Sequence, residues 1–279
     1  MLWISSLAWA PPQTHPALQR HVGSLAPVMT RRAVMAATAD ELEQLRREYE
    51  RYAAKVEAPL SNVDEATAQR TQAVRVRGLL SRDDIERVHR LAADVAERRP
   101  EATIDRSAWG QPPGTWRVTF INDGCAFEAQ LPDLHARLRD TMLETDRAQG
   151  WNVTAGVDDV NYRVAEHHTM RSSIDGRPTR GGLRTLRHID QGSLLTIDVL
   201  LSDRADIEGG VLQTLEADGE LRPHEWEQGD ALVFLSHKYH CVSELTAGTR
   251  QVLVCELWQG TENPSPSRDE ALRWVGEWR

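Results

Sequence analysis

His188 and Asp190 stand one residue apart at the head of an apolar, strand-forming run, "RHIDQGSLLTIDVLLSD". Side chains alternate faces on an extended chain, so the two polar groups point the same way. A further imidazole, His240, follows in "GDALVFLSHKYHCVSELTAGTRQVLV". Two imidazoles and one carboxylate on one side of a divalent ion leave three coordination positions open, a donor set suited to a redox-active metal that must also admit outside ligands. Arg250 comes ten residues after His240, across the turn "TAG". A guanidinium fork grips a carboxylate with two parallel hydrogen bonds, so a metal at one end and Arg250 at the other would measure out a short dicarboxylic acid.

These residues need a scaffold that brings distant strands together. After Gly156 the chain breaks into short β-branched and apolar runs, "DVNYRV", "LLTIDVLLS", "GGVLQTLE", "DALVFLS", "YHCVSEL" and "RQVLVCELW", separated by Gly-, Asp- and Glu-rich turns. Upstream the pattern is helical. "TADELEQLRREYERYAAKVEA" opens with Thr38 and Glu41 at capping-box spacing, Ser81 and Asp84 cap "RDDIERVHRLAADVAERR", and Pro132 begins a third helix that runs to Gln149. Strands are expected at "AVRVRGLL" and "TWRVTFI". Helices followed by many short strands, without alternating βα units, predict an α+β protein with a helix-supported β-sandwich or barrel.

A chain of 279 residues with 40% hydrophobic content can bury a full core. No apolar run reaches the roughly 18 residues that cross a bilayer. The net charge of -9 argues against a general polyanion binder. Cys125, Cys241 and Cys255 show no C-x-x-C spacing and read as free thiols. Residues 1–37 contain no Asp or Glu but carry Arg20, Arg31 and Arg32, the composition of a cleaved plastid or mitochondrial targeting peptide; a signal-peptide core in "LWISSLAWA" or a start at Met29 or Met35 are the alternatives, the last leaving the protein cytoplasmic. The expected organisation is then helical support with a few strands over 38–150, a jelly-roll core over 151–262, and a tail or short helix over 263–279.

The order His188-x-Asp190, His240, Arg250 resembles the signature of the 2-oxoglutarate- and Fe(II)-dependent dioxygenases. "LLTIDVLLSD", "EGGVLQTLE" and "GDALVFLSHKYHCVSELTAGTRQVLV" resemble the prolyl 4-hydroxylase-like branch over about residues 150–260. The resemblance implies a double-stranded β-helix, Fe(II) held by His188, Asp190 and His240, and 2-oxoglutarate held at its far carboxylate by Arg250. It also implies ascorbate as an auxiliary, and dioxygen-dependent hydroxylation of a C–H bond in a small-molecule or peptidyl, including prolyl, substrate, with release of succinate and carbon dioxide. Tyr162 and Thr196 stand where the branch contacts the co-substrate. His237, three residues from His240, faces the other way on a strand, and the resemblance favours His240. The alkylation-repair demethylases place a second Arg where this chain has Glu256, which argues against nucleic acid. The connector "AEHHTMRSSIDGRPTRGGLRTLR" is long and Arg-rich, as a loop receiving an anionic substrate would be, and His167, His168 and His224 are expected in solvent-facing loops. A non-catalytic cupin-like binding protein is the alternative.

Overall fold

A computed structural model describes residues 65–107, 111–179, 181–183 and 186–266; the stretches expected to be a targeting segment (1–37) and a helix (38–58), and most of the expected C-terminal tail, lie outside the described residues. Among the described residues no helix is long and apolar enough to cross a membrane. Three short strands, β1 (Val74–Val76), β2 (Thr103–Asp105) and β3 (Trp116–Phe120), alternate with α1 (Glu65–Arg70), α2 (Arg82–Arg98), α3 (Ala126–Gln130) and α4 (Pro132–Gln149). Eleven strands follow. They are β4 (Val160–Arg171), β5 (Ser173–Ile174), β6 (Arg177–Pro178), β7 (Leu195–Leu200), β8 (Glu208–Gly209), β9 (Leu212–Leu215), β10 (Leu221–Pro223), β11 (Ala231–Leu235), β12 (His240–Val242), β13 (Leu245–Ala247) and β14 (Thr249–Gln259).

The chain passes repeatedly between two sheets. A seven-stranded antiparallel sheet has the order β1-β11-β7-β14-β4-β3-β2, and β10-β9-β12 with the ribbon β13-β8 forms the facing layer. The two pieces of that layer are one bent arm, because Gly210 donates to the Glu244 carbonyl at 3.1 Å and Ser243 to the Val211 carbonyl at 2.9 Å between them. This is the jelly-roll form of a double-stranded β-helix, and the fold class is α+β.

Alternation along the strands builds two cores. Leu195, Ile197 and Val199 of β7, Val233 and Leu235 of β11, and Leu253, Cys255 and Leu257 of β14 face α2 and α4, where they meet Val88, Leu91, Leu134 and Leu138. The opposite face presents Leu200, Leu232, Phe234 and Val252 toward Leu212, Val242 and Leu245 of the second layer. The period of two therefore gives the large sheet a helix side and an interior side, and anything polar on the interior side needs a partner. Cys241 and Cys255 are buried free thiols that pack as small apolar residues.

Local chemistry accounts for the boundaries. The Ser81 hydroxyl accepts from the Asp84 amide at 3.2 Å while Asp84 Oδ2 accepts from the Ser81 amide at 3.1 Å, the reciprocal cap that starts α2. Gly150, at φ +66, ends α4. Asp230 ties β1 onto β11 by accepting from Arg75 Nε and the Gly78 amide, both at 2.7 Å.

The strand at "AVRVRGLL" shortens to three residues, and the strand containing Tyr162 is far longer than expected. β4 extends through "AEHHTMR", so His167 and His168 are buried strand residues and not solvent-facing loop residues. Polar side chains hid this strand in the sequence because their partners come from remote elements. His167 Nε2 meets His89 Nδ1 on α2 at 3.0 Å, and His168 lies between Trp116 Nε1 at 3.1 Å and Glu166 Oε2 at 2.7 Å. His224 is half-buried, with Nε2 2.8 Å from the Thr214 hydroxyl. Much of the expected connector is likewise ordered as the end of β4 and the β5–β6 ribbon.

Candidate metal and oxo-acid site

His188 lies on the segment that enters β7, His240 opens β12 in the facing layer, and a single antiparallel bridge joins them, with the His240 amide donating to the His188 carbonyl at 3.0 Å. Their rings stand nearly perpendicular, centroids 4.9 Å apart. Asp190 reaches between them, with Oδ1 3.3 Å from His188 Nε2 and Oδ2 3.8 Å from His240 Nε2. These three are the one group of three or more His, Cys, Asp or Glu among the described residues whose donor atoms converge, all within 4.8 Å of one another. Adjacent ligands of an octahedral ion with bonds of about 2.1 Å stand about 3 Å apart, so the set fits one divalent metal, and its N, N, O composition is that of a facial triad.

The surroundings fix the donors. His240 Nδ1 lies 3.0 Å from the Lys238 carbonyl; a protonated Nδ1 donates there and leaves Nε2 with a lone pair facing Asp190. Lys238 is wholly buried, and its ammonium donates to the Gln69 carbonyl at 2.7 Å and to Glu216 Oε2 at 2.8 Å. Gln69 also donates to the His237 carbonyl at 3.0 Å and accepts from the Tyr239 amide at 3.2 Å, so the turn before His240 is held at several points. Asp190 donates its amide to the Ser236 carbonyl at 2.9 Å, and the Thr196 hydroxyl donates to Asp190 Oδ2 at 2.8 Å. His237 is outside the converging group, and burial lowers its pKa.

A cavity of about 360 Å³ opens onto His188, Asp190 and His240 and runs to Arg250, walled by Leu212, Val242, Val254 and Met170. Arg250 is 3% exposed, and its Nε and Nη2 have no hydrogen-bond partner. Burial pushes its pKa down to about 10, with Asp198 holding it up and Arg204 pressing it further down, so it remains a cation at neutral pH. Gly210 makes room for it, since a Cβ there would stand 2.8 Å from Arg250 Cδ, and at φ +58 the position also favours glycine. A buried guanidinium with free N–H groups facing a cavity is a carboxylate receptor in waiting.

Two expected co-substrate contacts are corrected. Tyr162 is on the helix side of the large sheet, its hydroxyl donating to the His135 carbonyl at 2.8 Å and its ring beside Phe127 and His135. The cause is a bulge: Glu256 pairs with Val164 and Leu257 with Tyr162, so Arg163 is skipped and the facing of Tyr162 is reversed. Thr196 does face the interior, but its hydroxyl is engaged by Asp190 and, at 2.9 Å, by Ser236, so it orients a metal ligand instead of an acid. Of the connector arginines, Arg171 donates to the Gly114 carbonyl at 3.1 Å, Arg177 is exposed, Arg187 lies 5.7 Å from the Tyr239 ring centroid, and Arg180 and Arg184 lie outside the described residues. The arginine that joins Arg250 on the cavity wall is Arg106. The sequence reading missed it, together with Trp116, His168 and Asp198, because none of them stands in a recognisable spacing.

No family model matches the chain, and no curated protein matches it. Among solved structures it is similar to a prolyl 4-hydroxylase from Pseudomonas putida, with 20% identity over 75% of this chain and 99% of that one at a TM-score of 0.42. It is similar to a prolyl hydroxylase from Trichoplax adhaerens in complex with a hypoxia inducible factor peptide fragment, with 12% identity over 80% and 94% at 0.47. It is also similar to AviO1 from Streptomyces viridochromogenes, with 15% identity over 74% and 100% at 0.47. Identities this low and TM-scores under 0.5 leave the site's own geometry as the basis for a functional reading.

Proposed function

We propose that the protein is an Fe(II)- and 2-oxoglutarate-dependent dioxygenase that hydroxylates a C–H bond of a small-molecule or peptidyl substrate, with release of succinate and carbon dioxide. One observation carries this reading: a converging His188, Asp190 and His240 share a cavity with a buried guanidinium that has two unpartnered nitrogens. The three ligands would hold Fe(II) and leave three positions for exogenous ligands; the metal and the oxo acid, when bound, supply the dioxygen activation that side chains alone do not.

The remaining work falls to the chain. Arg250 anchors the far carboxylate of the acid and so sets which end meets the metal. Asp190, held by Thr196 and by its own amide, offsets part of the metal charge. Leu212, Val242 and Val254 keep water from the channel, which strengthens the grip of Arg250. His188, about one-third exposed, marks the open end where substrate meets the metal.

The test is a substrate screen read as succinate release. Turnover with Fe(II) and 2-oxoglutarate that disappears in Asp190→Ala supports the reading. Turnover that survives the substitution refutes it, and retained oxo-acid binding without any turnover points to a binding protein.

A further inference from the structure

A bulge in β4 delivers a buried arginine to the turn that carries a metal ligand. Opposed residues of an antiparallel pair share a face, and Glu256 is level with Val164 of β4 and with Thr196 of β7, so its carboxylate belongs to the interior face. Cys255 pairs with Ala165 and Leu257 with Tyr162, which leaves Arg163 as the extra residue beside Glu256. The bulge thereby exchanges Tyr162 for Arg163 on the interior side. Both displaced carbonyls are satisfied by the buried Asn263, whose amide donates to that of Tyr162 at 3.0 Å and whose Nδ2 donates to that of Arg163 at 2.9 Å.

Arg163 is 4% exposed; its Nη1 donates to the Gln191 carbonyl and, at 3.3 Å, to the Ser193 hydroxyl, and stands 3.9 Å from Glu256 Oε2. The Ser193 hydroxyl donates to that same carboxylate oxygen at 2.6 Å. These contacts enclose the turn that begins at Asp190. The Ser193 amide closes it on the Asp190 carbonyl at 3.2 Å, and a φ of +87 at Gly192, with Gln191 outside the positive-φ region, is the pattern of a type II turn. Type I and type II turns differ in which way the central peptide carbonyl points, and here that carbonyl belongs to Gln191, the one Arg163 holds. A Cβ at residue 192 would stand 2.8 Å from Arg163 Nη1, so the guanidinium fills the space that a side chain would need.

We propose that Arg163 is a positioning residue of the metal site: by fixing the Asp190–Ser193 turn independently of the ion, it holds Asp190 where a carboxylate ligand is needed. The inference rests on the metal reading of His188, Asp190 and His240. Thr196 orients the Asp190 carboxylate itself, and Arg163 sets the backbone that carries it. A ligand on a pre-set backbone loses little conformational freedom when it binds, which raises affinity without a further contact to the ion.

Mn(II) calorimetry on the full chain, beside thermal melting, tests this. Arg163→Lys keeps a cation near Glu256 but lacks the guanidinium fork, and the double variant Arg163→Met with Glu256→Gln removes the buried pair together. Mn(II) affinity is expected to fall about 10- to 100-fold in both, at a temperature where each is folded. A merely structural role would lower the melting temperature and leave the Mn(II) affinity of the folded variants unaltered, and that result overturns the proposal. Should neither variant fold, hydrogen exchange in the wild type decides: turn amides at 190–193 protected to within about tenfold with and without Mn(II) support the role, and a larger gain of protection on adding Mn(II) overturns it. Wild-type protein that binds no Mn(II), or binds it equally well as Asp190→Ala, removes the metal reading itself, whereas binding that needs Asp190 but is indifferent to residue 163 removes only the inference.

Discussion

The Thr196 hydroxyl donates to Asp190 Oδ2 at 2.8 Å and lies 2.9 Å from the Ser236 hydroxyl, which ties the proposed metal carboxylate to β7 and to the turn that leaves β11. A ligand held this way presents one oxygen arrangement to an ion instead of several. Thr196→Val keeps the shape and removes the bond. Mn(II) affinity measured by calorimetry is expected to fall about 10- to 100-fold, with little change in melting temperature. An unaltered affinity would mean that Asp190 needs no such support.

Gly210 and Arg250 are coupled by space. Gly210→Ala places a methyl 2.8 Å from Arg250 Cδ at a backbone angle that already favours glycine. The guanidinium must shift, and the concentration of 2-oxoglutarate needed for half-maximal binding should rise about tenfold while Mn(II) affinity stays within about twofold. Equal losses of both would show a general collapse of the site.

The buried Lys238 ammonium and Glu216 carboxylate, 2.8 Å apart, brace the turn whose carbonyl meets His240 Nδ1. Lys238→Met leaves Glu216 without its nearest cation and is expected to cost about 3 kcal/mol in urea unfolding. The double variant Lys238→Met with Glu216→Gln should lose less than the two single variants together.

Stability should fall as the solution is acidified below about pH 6.5. Burial lowers the pKa of His89, and that of His167 to about 3 with His89 and His168 adding to the effect. Both rings are neutral in the fold and in the unfolded chain above pH 6.5. Below it the unfolded chain gains protons that the fold refuses, so unfolding becomes easier as the pH falls, for His167 from about pH 6.5 down toward pH 3 by at most about 1.4 kcal/mol per pH unit, with His89 acting in the same direction. Urea midpoints at pH 7 and pH 5 measure the slope, and His167→Leu should flatten it.

The four residues of the candidate site were legible because side-chain type and order suffice for them: His188, Asp190, His240 and Arg250 do converge on one cavity. Helix ends were legible for a similar reason, since the Ser81–Asp84 cap and Pro132 act on their immediate neighbours. Tyr162 was misjudged because facing depends on a bulge at Arg163, and a skipped residue leaves no mark in composition. The reach of β4 was underestimated because His167, His168 and Glu166 look solvent-facing until their partners on α2 and β3 are in place. Arg106 and Asp198 were invisible because the strand order that brings them to the cavity emerges only when the sheet closes.

The most direct measurement is anaerobic titration of the Fe(II)-loaded protein with 2-oxoglutarate, in the wild type beside Arg250→Ala and Asp190→Ala. The account predicts one oxo acid bound per chain in the wild type, an affinity at least about tenfold lower in Arg250→Ala with the metal retained, and loss of both metal and acid in Asp190→Ala. Acid binding of wild-type strength in either variant would contradict it.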